Sequence, residues 1–161
     1  MNPLNRFYLF KSESYSRPRA SIVKTLQAEE EAEHNRTVAL VAGSKFSYPN
    51  DEHPDWTTYV NVPEHTTGIQ HESELVYPDV VVVSSNMEIV RVAEVESKMV
   101  VDAEDVRRWK VYASLCQAFY LYVPIDARAR VLQVLNFNRI PCKMLGLYAY
   151  DSQGRLLVDN D

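Results

Sequence analysis

The chain has 161 residues, 46% of them hydrophobic and 24% charged, which fits one globular domain over 1–161 and excludes an intrinsically disordered chain. Its net charge of −5 is uneven: residues 1–28 carry five basic groups against Glu13, residues 29–79 carry eleven acids against Arg36 and Lys45, and residues 80–161 carry ten of each sign. A protein that holds nucleic acid by charge alone is basic overall, so any nucleic-acid contact here has to be local, weak, or supplied by a metal or a partner.

Four glycines and no Walker or Rossmann spacing argue against a glycine-rich nucleotide loop. The longest apolar runs, such as Val80–Val83, are too short to span a bilayer. Residues 1–10 lack the apolar stretch and cleavage site of a signal peptide, so a cytoplasmic protein is expected. Cys116 and Cys142 form no short motif and read as buried thiols in a reducing compartment.

In chain order, Pro18 opens a helix expected over about Arg17 to His34, with Ile22, Val23 and Leu26 as its apolar stripe. Glu29, Glu30, Glu31 and Glu33 crowd its later turns, where the helix dipole disfavours them; a solvated face is the plain reading. Thr37–Ala42 reads as a short strand, and residues 43–74 as loop, broken by Pro49, Pro54, Pro63 and Gly68. Glu74–Val83 reads as one β-branched strand, and Met87–Lys98 as the next after a turn at Ser84-Ser85-Asn86. Asp102 is an N-cap with Asp105 in the capping-box position, opening a helix to about Gln117. Phe119–Val123 and Arg130–Phe137 read as strands, and Leu145–Tyr150 with Arg155–Val158 as a closing hairpin. The order predicts an α/β domain around a central mixed sheet flanked by helices, with a C-terminal β-hairpin.

The chemistry concentrates in Tyr77-Pro78-Asp79 and Ala93-Glu94-Val95-Glu96-Ser97-Lys98. Alternate residues of a strand share a face, so Glu94, Glu96 and Lys98 project together. Three charges in a row are costly to bury without partners. A hard divalent cation on Asp79 and the glutamates would resolve that cost, with Lys98 free to orient a water or phosphate. The plain alternative is a surface salt bridge between neighbouring strands.

Pro78-Asp79 followed by Glu96-Ser97-Lys98 resembles the PD-(D/E)xK nuclease superfamily, the restriction-endonuclease-like fold, and small bacterial members in particular. The helix from Asp102 with Trp109-Lys110, and the run Phe119-Tyr-Leu-Tyr-Val-Pro124, fall where that fold places the elements after its motif. The resemblance covers roughly 74–137 and implies an αβββαβ core. It also implies Mg²⁺-dependent hydrolysis of DNA phosphodiesters, with Mn²⁺ as an alternative ion. Asp79, Glu96 and Lys98 would be catalytic. Asp79, Glu96 and Glu94 would hold metal, joined by Glu30 from the first helix. The register stays open, because Glu94-Val95-Glu96 gives an acid-x-acid variant with glutamate in the lysine position. Arg107, Arg108 and Lys110 could meet flanking phosphates or form a solvated face. A homodimer fits by analogy with the fold. The rival reading is a catalytically inactive nuclease-fold protein acting as a binding or interaction module.

Other candidates are weaker. His71 with Glu72 and Glu74 matches no closed zinc spacing. His34, His53 and His65 have no partner in the sequence, and no Ser/His/Asp or Cys/His pattern stands out. Trp109, Tyr120 and Tyr122 follow the periodicity of core residues.

Overall fold

A computed structural model describes residues 7–9, 22–97, 100–153 and 155–159. The elements are β1 (Phe7–Leu9), α1 (Ile22–Lys45), β2 (Thr57–Val60), β3 (Thr67–His71), β4 (Glu74–Val76), β5 (Val80–Val83), β6 (Ile89–Val95), α2 (Ala103–Leu115), β7 (Ala118–Pro124), α3 (Arg128–Asn138), β8 (Met144–Tyr150) and β9 (Leu156–Asp159). Six strands form a mixed sheet in the order β2-β5-β6-β7-β8-β9. The pairs at either end are antiparallel, while β6, β7 and β8 run parallel. A separate three-stranded sheet has the order β1-β3-β4. The α/β class, the mixed sheet and the closing hairpin agree with the sequence.

Both faces of the large sheet are covered. Trp109 and Tyr112 of α2 and Val131 and Leu135 of α3 pack on Val81, Val92 and Leu121. Val38, Val41 and Phe46 pack on Val80, Val82 and Tyr122 from the other side. All four valines of β5 are buried, as expected for a strand covered on both faces. Among the described residues, no helix is long and apolar enough to cross a membrane.

Four expectations are corrected. Thr37–Ala42 is helical, because α1 continues to Lys45 and its apolar residues fall at Val38, Val41 and Ala42, the spacing of one helix face. Arg130–Phe137 lies in α3, where Val131 and Leu135, one turn apart, are the buried positions. Residues 43–74 hold β2 and β3 rather than loop alone. Glu74–Val83 is two strands in two different sheets, β4 and β5, separated at Tyr77-Pro78-Asp79, where Pro78 offers no N–H to a ladder. By contrast, α2 begins as read: Asp102 accepts the N–H groups of Glu104 (2.8 Å) and Asp105 (3.0 Å), and Asp105 accepts the N–H of Asp102 (3.0 Å). Cys116 and Cys142 are free and half-buried, and burial pushes each thiol up to about 11.

Candidate active site

Asp79 stands immediately before β5, and Glu94 is near the end of β6. Antiparallel pairing of Val80 with Ala93 sets them side by side. Each is pinned to the other's strand. The Asp79 N–H donates to Glu94 Oε2 at 3.2 Å, and the Val95 N–H donates to Asp79 Oδ2 at 2.8 Å. One oxygen of each carboxylate is thereby fixed by backbone. The other oxygens face partners that are side chains: His34 Nε2 lies 3.1 Å from Asp79 Oδ1, and Arg108 Nε lies 3.0 Å from Glu94 Oε1. The Arg108 contact is an ion pair without a directed hydrogen bond at Nε.

Glu96 follows β6 and is buried. Its Oε1 accepts hydrogen bonds from Arg108 Nη2 and, at 3.1 Å, from the Trp109 indole. Its backbone carbonyl accepts the Tyr148 hydroxyl at 2.6 Å, which ties the end of β6 to β8. Arg108 Nη2 also reaches Asp105 Oδ1 at 3.0 Å, so one guanidinium serves three buried acids. His34, Asp79, Glu94, Glu96 and Arg108 line an open cleft of about 390 Å³, shared with His65, Tyr77, Ser97 and Tyr112. A larger cleft of about 610 Å³ runs along α3 and β8, and none of these carboxylates lines it.

Burial first, and the nearby Asp79 charge second, push Glu94 well above the ordinary carboxylate range. Burial also raises Glu96, against the opposing pull of Arg108. The hydrogen bond to Asp79 raises His34, although burial works the other way. Burial works against the Arg108 charge too, but Glu94 and Glu96 hold its ionisation above the ordinary value. The cleft sets three carboxylates, Asp79, Glu94 and Glu96, beside Arg108 and His34.

Among the described residues, no three His, Cys, Asp or Glu side chains gather into a ready-made metal cage. Mg²⁺ does not need one: it keeps several waters and is commonly held by one or two carboxylates together with substrate phosphate. The hard oxygens of Asp79 and Glu94 fit that demand. A divalent ion would compete with His34 for Asp79 Oδ1 and with Arg108 for Glu94 Oε1.

The residues singled out by sequence fall in different places. Asp79, Glu94, Glu96 and Arg108 line the one cleft. Lys98 lies outside the described residues. Glu30 is exposed on α1. His34, one turn further along α1, is the residue of that helix that meets Asp79. Arg107 is exposed and held by Glu104 and Glu74, and Lys110 is exposed. The sequence alone gives His34 no partner; its signal is the helical spacing to Val38 and Val41, visible only if α1 is carried past Asn35. Comparison of the chain with family models, curated proteins and solved structures returns no match.

Proposed function

We propose that this protein is a metal-dependent phosphodiester hydrolase acting on nucleic acid, DNA first, built on a restriction-endonuclease-like core. The observation that carries the reading is the meeting of Asp79 and Glu94 across β5 and β6, each with one oxygen fixed by backbone at an open cleft. Backbone-fixed oxygens cost little reorganisation when charge arrives. Asp79 and Glu94 would hold Mg²⁺ or Mn²⁺. Such an ion supplies Lewis-acid stabilisation of phosphoryl charge and a more acidic water. His34 orients Asp79 through Oδ1. Glu96, two residues beyond Glu94 and directed by Trp109 and Arg108, stands where the acid-x-acid variant puts its second acid. The contact between Glu94 and the Asp79 backbone supports that register, with Lys98 as the candidate of the other.

Cleavage of plasmid and single-stranded DNA with Mg²⁺ or Mn²⁺ tests the proposal. Asp79→Ala and Glu94→Ala are expected to abolish it, and Lys98→Ala to decide the register. Activity that survives both carboxylate substitutions would place the chemistry elsewhere. One observation favours a second reading, a non-catalytic nuclease-fold binding module: Arg108 already supplies positive charge to Glu94, Glu96 and Asp105. Calorimetry with Mn²⁺ separates the two, because the module is expected to show no heat at this site.

A further inference from the structure

Next to the carboxylates, the loop after β2 is stapled to the start of β5 by one buried amide. Asn61 is 2% exposed, and its side chain uses both its donors and its acceptor oxygen. Nδ2 donates to Pro78 O (2.7 Å) and Thr67 O (2.8 Å), while Oδ1 accepts from Thr66 N (3.1 Å) and Thr67 N (2.8 Å). The Asn61 N–H donates in turn to Asp79 O at 2.9 Å. A loop held this firmly presents its side chains at defined positions. One of them is His65, whose ring stacks on Tyr77 with centroids 4.8 Å apart and planes 16° from parallel. Both rings line the cleft that holds Asp79 and Glu94. His65 is the outer ring: it is exposed, whereas Tyr77 is half-buried. Among the described residues, the His65 nitrogens have no hydrogen-bond or ion-pair partner.

We propose that the His65–Tyr77 stack is a landing platform for an unpaired nucleobase beside the scissile phosphate, so that the preferred substrate is a single strand or a frayed strand end. The inference rests on the phosphodiesterase reading and narrows its substrate. Aromatic faces hold bases by stacking irrespective of sequence. Inside a duplex both faces of a base are already covered, so the platform can act only on a base that has left the stack. Charge points the same way. The chain carries −5 overall, and the residue 29–79 segment that supplies the platform is its most acidic part, a poor surface for the dense charge of a duplex.

The test is fluorescence anisotropy with a labelled single strand, its duplex and an abasic strand of equal length, with Ca²⁺ as the cation. Wild type is expected to bind the single strand more tightly than the duplex. His65→Ala is expected to weaken single-strand binding roughly tenfold and leave the abasic strand unchanged. His65→Phe, which keeps a flat ring and loses the imidazole protons, is expected to restore affinity. The proposal is overturned by equal or tighter binding of the duplex, by an unchanged His65→Ala affinity, or by a His65→Phe variant as weak as His65→Ala. If strand binding follows the expected pattern but no cation supports cleavage, the hydrolase reading fails and the platform stands. If Asp79-dependent cleavage is present and His65→Ala is silent, the platform alone falls.

Discussion

The Glu94 carboxylate accepts the backbone N–H of Asp79 at 3.2 Å, so one candidate acid is positioned by the peptide group of the other. With Asp79 Oδ2 held by Val95 N at 2.8 Å, the two side chains cannot be moved independently. Their separation is set by the β5–β6 ladder and is expected to survive changes at the cleft mouth.

Removing Arg108 isolates that rigidity from its electrostatics. Its three acidic partners have side chains only 9%, 9% and 3% exposed. Arg108→Met leaves them without their shared cation and is expected to lower stability by about 3 kcal/mol. Urea unfolding in EDTA measures it. Arg107→Met, by comparison, breaks only exposed pairs and is expected to change little.

The cleft also sets a pH dependence. Glu94, Glu96 and His34 all titrate higher in the folded protein than their ordinary values of 4.5, 4.5 and 6.5. The folded state therefore binds more protons than the unfolded state as pH rises through this range, and stability falls with rising pH. The glutamate contribution is full below the ordinary carboxylate value and is lost as pH climbs through the raised one; that of His34 is lost above 6.5. Unfolding in EDTA at about pH 5 and about pH 8 should show the decline, and Glu94→Gln should flatten it.

Cation binding should run in the opposite sense. A carboxylate has to lose its proton to hold a metal. Because burial and Asp79 favour the neutral form of Glu94, Mn²⁺ affinity is expected to rise as pH climbs above the ordinary carboxylate range, with proton release. Calorimetry in buffers of different ionisation enthalpy reads both effects. Asp79→Asn should remove the site heat throughout, and undiminished heat would put the ion elsewhere.

Gly146 tests the packing of the sheet behind the site. A Cβ there would lie 2.3 Å from two ring carbons of Tyr122, which is 1% exposed. The ring lies in the buried cluster with Val38, Val41 and Phe46. Gly146→Ala is expected to cost about 2 kcal/mol or more by overpacking, measured as a lower midpoint in thermal or urea unfolding.

The parts of the fold readable from sequence are those where local chemistry and tertiary packing agree. Asp102 and Asp105 cap α2 as their spacing says, and β5, β6 and β7 are β-branched or aromatic runs of strand length. Thr37–Ala42 and Arg130–Phe137 misread for one physical reason. A short run rich in valine and leucine has no period of its own to separate strand from helix, and only burial every third or fourth residue does so. Mistaking the end of α1 hid His34, since a helix stopped there has no face to aim it. Asp79 and Glu94 are legible because Pro78 and the alternation of β6 place them locally, whereas Glu96 lies just past the strand's end. The i,i+3 spacing of Asp105 and Arg108 on α2 gives one of that arginine's acidic partners, but its pairing with Glu94 and Glu96 depends on how α2 docks on the sheet.

The hydroxyl of Tyr148 holds the carbonyl of Glu96 from more than fifty residues downstream. The Glu96 end of the cleft therefore gains this tether only once residue 148 is available, long after β5 and β6 have been made.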